Sequence, residues 1–152
     1  MLTMSERNWA VAAHLSALIT VLAAWFTGGA GAVLALLIPF GLYVYFRERA
    51  PHVAFHALQA TVFQSLIAIV WVLSLGLLIV TWIVTGVLSL ALIGLLMLPL
   101  ALGVTLLIAL VLIGLPLAGA AYVCRGAYLA YRGERFEYPV VGRLVAQTMA
   151  LT

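Results

Sequence analysis

Residues 65–113 read SLIAIVWVLSLGLLIVTWIVTGVLSLALIGLLMLPLALGVTLLIALVLI and contain no charged side chain. The uncharged stretch extends outward in both directions, from Ala50 to Cys124. A bilayer hydrocarbon core of about 30 Å is crossed by about 20 helical residues. The stretch is therefore long enough for more than one crossing, and it predicts an all-α membrane protein built as a polytopic helical bundle.

The composition of the whole chain agrees with this prediction. Of the 152 residues, 67% are hydrophobic and 7% are charged, whereas a soluble domain is about half apolar and about a quarter charged. Every basic residue is Arg and every acidic residue is Glu, so lysine- and aspartate-based chemistries are excluded. No nucleophile–base pair, carboxylate pair or phosphate loop is visible either. We therefore expect a non-enzymatic protein without catalytic residues.

The arginines indicate the topology. They lie in short clusters beside apolar segments, which is typical of topology determinants and not of nucleic-acid binding. Six of them are best placed together on the cytoplasmic face: Arg7, Arg47, Arg49, Arg132, Arg135 and Arg143. This placement requires an even number of crossings and predicts that both termini are cytoplasmic, in a bacterial cytoplasmic membrane.

We predict one integral membrane domain, residues 1–152, with four transmembrane helices. The spans are placed at about 9–26, 32–46, 53–75 and 104–131. An apolar excursion at about 76–103 would be interfacial or re-entrant, with breaks at Gly76, Gly86, Gly94, Pro99 and Gly103.

Small residues mark two candidate helix-packing faces. In the first span they recur at every fourth position: Ala12, Ser16, Thr20 and Ala24. Gly114 and Ala118 form a second small-x-x-x-small pair. Such faces allow two helix backbones to approach closely, within one chain or against another subunit. We therefore expect the lipid bilayer and other membrane-protein subunits as partners.

Histidines supply the candidate binding residues. His52, His56 and Gln59 share one helical face, and His14 lies in the first span with the pattern Ala10-x-x-x-His14-x-x-x-Leu18, which resembles that of bacteriochlorophyll-binding polypeptides. These side chains either hydrogen-bond neighbouring helices or hold a cofactor, haem or bacteriochlorophyll, through His14 or His56. The histidines and Cys124 lack a recognisable zinc spacing, so no metal site is predicted.

Arg125 is the one charged residue inside a predicted span. It shares a helical face with Tyr128 and Arg132, from which it can extend toward the interface. It could equally pair with Glu48, or with an anionic lipid or partner group.

Three stretches carry a resemblance to a known family: ERNWAVAAHLSAL (6–18), APHVAFHALQATVFQ (50–64) and AYLAYRGERFEYPVVGRL (127–144). They resemble small bacterial membrane proteins related to the twenty-kilodalton subunit of the chloroplast Tic translocon. The resemblance implies four membrane helices with cytoplasmic termini. The segment between Gln64 and Tyr128 is longer than in that pattern.

Three functions follow as hypotheses. The first is an accessory or structural subunit of a larger membrane complex. The second, suggested by the resemblance, is a translocation or channel component. Its polar path would be lined by His14, Ser16, Thr20, His56, Gln59 and Gln64. The third is a haem- or pigment-binding membrane subunit.

Overall fold

The computed structural model describes residues 2–27, 30–139 and 141–150, and it is helical through most of them. The helices are α1 (Met4–Thr27), α2 (Ala30–Phe46), α3 (Pro51–Ser89), α4 (Ile93–Tyr131) and α5 (Val141–Ala150). This architecture confirms the all-α prediction. No membrane surrounds the helices in this structure, and the number of spans stays a prediction.

Local chemistry explains where the helices begin and end. At the start of α1, the Glu6 amide donates to Thr3 Oγ1 at 3.2 Å and the Thr3 amide donates to Glu6 Oε2 at 2.7 Å, which forms a capping box. α3 begins at Pro51, a position where proline is favourable because the N–H of the first helical residue would have no acceptor within the helix. After α4, Gly133 adopts a φ of 77°, and the Glu134 amide reaches back to the Leu129 carbonyl. This Schellman-type end satisfies carbonyls that the helix would otherwise leave open.

The described residues form two compact units. Unit 1 contains the residues up to Leu66 and those from Ala118 onward, and unit 2 is Ile67–Leu117. Unit 1 therefore holds α1, α2, α5, the first part of α3 and the last part of α4. Its aromatic and aliphatic core is Phe55, Phe136, Tyr138, Val141 and Val145.

Unit 2 is an antiparallel helical hairpin. The end of α3 and the start of α4 are joined by the turn at 90–92. Trp82 Nε1 donates to Thr105 Oγ1 at 3.0 Å, and Trp71 Nε1 donates to the Leu112 carbonyl at 3.4 Å. These bonds connect the two arms within the hairpin.

Residues 76–103, the predicted excursion, form part of this hairpin, since α3 continues to Ser89 and α4 begins at Ile93. An interfacial or re-entrant position of this segment stays a prediction. Four of the expected breaks lie inside the two helices: Gly76, Gly86, Pro99 and Gly103. A Cβ built on any of these three glycines would meet nothing within 4 Å. Glycine and proline are tolerated in apolar helices, so these residues do not interrupt the chain.

Two helices, α3 and α4, are long and apolar enough to cross a membrane. Each has 39 residues, which at about 1.5 Å per residue gives about 58 Å, roughly twice a bilayer core. Their most apolar windows are almost entirely exposed, with 0% and 11% of residues buried. They therefore differ from core helices of soluble proteins, whose apolar side chains are packed inside. α2 is apolar but shorter.

Candidate functional site: a buried histidine–tyrosine cluster

The most unusual feature of unit 1 is a chain of hydrogen bonds between three buried aromatic side chains. His14 Nδ1 lies 2.8 Å from the Tyr138 hydroxyl, and His14 Nε2 lies 2.9 Å from His56 Nδ1. Both histidines are fully buried, and Tyr138 is nearly so. These hydrogen bonds connect α1, α3 and the segment after α4, which are far apart in the sequence.

The proton positions follow from counting donors and acceptors. Burial raises the pKa of the Tyr138 phenol above its ordinary value, so the hydroxyl keeps its proton. The only bond of this hydroxyl within the described residues is to His14 Nδ1. If the phenol donates there, His14 Nε2 carries a proton and donates to His56 Nδ1. The proton of His56 then lies on Nε2, which is buried without a partner among the described residues.

Gln59 fixes the segment that carries Tyr138. Its Nε2 donates to the Phe136 carbonyl at 2.9 Å, and its Oε1 accepts from the Tyr138 amide at 3.0 Å. One side-chain amide thus pairs with two backbone groups of a segment that has no regular secondary structure and whose Phe136 and Tyr138 side chains are buried. The Tyr138 ring also stacks on Phe63 at 4.2 Å between ring centroids.

Gly126 on α4 gives the cluster its space. A Cβ built at this glycine would lie 2.9 Å from Phe136 Cδ1 and 3.0 Å from the His14 ring atoms Cε1 and Nδ1. Atoms this close must shift. The absence of a side chain at Gly126 therefore lets α4 approach the His14 ring directly.

A second hydrogen-bonded group lies further along α1. Thr20 Oγ1 donates to Gln64 Oε1 at 2.8 Å, and Gln64 Nε2 donates to Ser16 Oγ at 3.1 Å. Ser16 and Thr20 are buried, so this part of the predicted small-residue face does pack within unit 1. Ala12 and Ala24 are only half-buried.

The residues expected to line a polar path do not form one in unit 1. His14, Ser16, Thr20, His56, Gln59 and Gln64 are all buried and hydrogen-bonded to one another or to backbone groups. A polar path requires such groups to face water. In unit 1 they instead connect packed helices.

Ligation of haem or bacteriochlorophyll finds no support in this geometry. Both His14 nitrogens are engaged, and the proton count leaves His56 Nε2 as a donor. Ligation by either residue stays a prediction, which an absorption spectrum tests. Among residues 2–27, 30–139 and 141–150, no three His, Cys or Glu side chains come together as a metal site.

The remaining predicted residues lie outside the cluster or at its edge. His52 is half-buried and its ring lies 4.6 Å from that of His56, edge to face. Gly114 and Ala118 are exposed, so they form no packing face within the described chain. Arg125 is exposed, and among the described residues Glu48 pairs with the adjacent Arg47, at 3.4 Å, and not with Arg125.

Sequence reasoning missed Tyr138 and Gly126. Tyr138 follows α4 in an extended segment, where no helical periodicity marks a buried face. Gly126 had a usable signal, since Gly126-x-x-x-Ala130 is a small-x-x-x-small pair and both residues are buried.

Comparison with known proteins identifies the family. Residues 5–145 match the magnetosome magnetite crystal formation protein family, MamF/MmsF. No curated protein and no solved structure gives a match. The expected relation to the Tic translocon subunit is wrong. It rested on three short stretches that left the long apolar segment unexplained, whereas the family match runs through that segment. Because the match covers nearly the whole chain, the protein belongs to the magnetosome magnetite crystal formation protein family.

Proposed function

We propose that this chain is a small, non-enzymatic membrane protein of the magnetosome that acts in magnetite crystal formation as an accessory or structural subunit. The observation that carries the proposal is the family match over residues 5–145. The two long apolar helices support a membrane location.

The hydrogen-bonding pattern supports a structural role in preference to a catalytic one. In unit 1 six buried polar side chains bond to one another or to backbone groups, and Gln59 and Gln64 each connect separate parts of the chain. Buried polar groups used in this way fix one packing arrangement and leave few reactive atoms open. The outward surface of α3 and α4 is apolar, which suits lipid and neighbouring membrane subunits.

Complementation in a magnetosome-forming host tests the proposal. The host's own copy is deleted, and the wild-type chain, Gln59→Leu or the control Gln147→Leu is expressed in its place. Crystal number and size are measured by electron microscopy, with protein level measured by immunoblot. We expect deletion to alter the crystals, and the wild type and the control to restore them. Gln59→Leu should restore them less, in step with a lower protein level. Unaltered crystals in the deletion strain would contradict the proposal.

A further inference from the structure

A pocket of about 380 Å³ opens on unit 1, outside the histidine–tyrosine cluster. One edge is polar and is formed by His52, Gly133 and Arg135. The other wall is apolar and includes Phe55, Ala146 and Met149. The pocket is thus lined by basic side chains on one side and by apolar side chains on the other.

Arg7 flanks the polar edge. A Cβ built on Gly133 would lie 3.3 Å from Arg7 Nε and 3.4 Å from Arg7 Cζ, so the guanidinium packs against this glycine. Arg7 Nε is buried and has no hydrogen-bond partner within the described residues. A guanidinium is always charged and can only donate. A buried charged donor without an acceptor calls for a ligand or ordered water that supplies one.

Two further groups on the same edge are available to an acceptor. His52 Nε2 is also buried without a partner in the part of the chain that the structure describes. The Arg135 guanidinium lies over the Phe55 ring, with Cζ 4.0 Å from the ring centroid. This stacking holds the guanidinium against Phe55, which also lines the pocket.

The carboxylates nearby leave the two unpartnered nitrogens without an acceptor. Glu6 is held by Thr3 at 2.7 and 2.8 Å, and Glu134 pairs with Arg132 at 2.9 Å. Glu137 lies 3.7 Å from Arg135 Nε, and both side chains are largely exposed, so this pair is weak. An anion would supply the acceptor that Arg7 Nε and His52 Nε2 lack within the described residues.

We propose that this pocket binds a phosphate group, held by Arg7, His52 and Arg135. Guanidinium groups match phosphate oxygens with strong, charge-assisted hydrogen bonds. The apolar wall suits the glycerol and acyl portion of an anionic phospholipid, and basic pockets at the ends of membrane helices are suited to such headgroups. The inference is independent of the role in crystal formation.

Calorimetric titration of the full chain in a neutral detergent tests the proposal. The probes are dioctanoyl phosphatidylglycerol, dioctanoyl phosphatidylcholine and inorganic phosphate. We expect saturable binding of phosphatidylglycerol that becomes about fivefold weaker in Arg7→Gln and in Arg135→Gln, in line with the contribution of one arginine to anionic-lipid binding. Arg125→Gln is the control, because it removes one charge from unit 1 outside the pocket, at a position that is exposed as Arg135 is.

The outcomes separate the two sources of phosphate. Tighter binding of phosphatidylglycerol than of inorganic phosphate identifies a lipid headgroup, and equal affinity identifies free phosphate. Thermal unfolding of each variant shows whether it is folded. If Arg7→Gln is not folded, Arg135→Gln alone tests the contribution of an arginine to binding. Absence of saturable binding by either anionic probe, or an equal loss in Arg125→Gln, would overturn the proposal.

Discussion

The cluster around His14 depends on a few residues whose removal leaves specific buried atoms without partners. Gln59 is the clearest case, because it bonds both the Phe136 carbonyl and the Tyr138 amide. Replacing Gln59 with Leu should lower the free energy of unfolding by about 2–6 kcal/mol, since it leaves two buried groups without partners and each costs about 1–3 kcal/mol. Chemical unfolding in detergent measures this loss.

Gln147→Leu is the control for that experiment, since Gln147 is exposed on α5. Its change in unfolding free energy should stay within about 0.5 kcal/mol, as for most surface substitutions. Equal effects of the two substitutions would show that Gln59 does not hold the segment that carries Tyr138.

Gly126 and Gly114 form a second matched pair, both on α4. Gly126→Ala should lower the unfolding free energy by about 1–3 kcal/mol, because the new methyl group overlaps His14 and Phe136. Gly114→Ala should change it by less than about 1 kcal/mol, since nothing lies within 4 Å of a Cβ built there. Thermal unfolding in one detergent compares them. A larger loss for Gly114→Ala would contradict the packing described here.

His52 gives stability a dependence on pH. Burial lowers the pKa of the His52 imidazole below its ordinary value of 6.5; Glu6 opposes this shift and Arg7 adds to it. His56 on the same helix, Arg135 on the same edge of the pocket and His14 are further titratable or charged groups near it. The folded state therefore favours neutral His52, whereas the unfolded chain takes up a proton near its ordinary pKa, so stability falls as the pH drops below that value.

The matching experiment compares the wild type with His52→Gln. Between about pH 7.5 and about pH 5.5, across the ordinary histidine pKa, the melting temperature of the wild type should fall more than that of the variant. Parallel curves would show that His52 does not contribute to the pH dependence.

Helical spacing in the sequence indicates which residues share a face, but not what that face contacts. Shared helical faces placed His56 and Gln59 together, and both are buried where that face meets α1 or the segment after α4. The partner Tyr138 lies 124 positions from His14. Spacing within a helix carries no information about such a distant contact, so the cluster itself could not be predicted.

At the scale of elements, the turn between α3 and α4 depends on close backbone approach. A Cβ at Gly94 would collide with the backbone nitrogen of Ser89 and with the Thr85 carbonyl. Leu92 adopts a φ of 61° in the same turn, a region that costs an L-residue about 1–2 kcal/mol. The turn is thus compact and is held by these local contacts.

Gly94→Ala should open this turn. We expect a loss of about 1–3 kcal/mol from steric overlap and faster amide hydrogen exchange around residues 85–95. Gly103→Ala is the control, because nothing lies within 4 Å of a Cβ at that glycine. Unchanged exchange in Gly94→Ala would mean that the turn does not require glycine there.

Sequence reasoning about elements predicted the helices and misplaced their ends. α1 and α2 lie close to their predicted spans, because glycines and charged residues flank them. Within 50–124 no charged residue marks the end of a helix, and the sequence does not distinguish which of five glycines and prolines interrupts it. In the structure the chain turns only next to Gly94 among these five, where a side chain would overlap the backbone of α3.

For the whole molecule, composition indicated a membrane protein and the family match agrees with that class. Short motifs misled the family assignment, because brief stretches of small, aromatic and arginine residues recur at the ends of membrane helices. We propose, from the distribution of the arginines, that the chain crosses the bilayer four times, with the loop at 47–50 and the segment at 132–139 on one aqueous side. The turn at 90–92 then lies on the other side.

Site-directed labelling of sealed vesicles determines on which side of the bilayer each of these loops lies. Glu48→Cys, Glu134→Cys and Leu90→Cys are introduced singly into a Cys124→Ser background, since all three positions are exposed. A membrane-impermeant maleimide is then added from one side at a time. The account predicts that positions 48 and 134 react from the same side and position 90 from the opposite side. Reaction of positions 48 and 134 from opposite sides would contradict it.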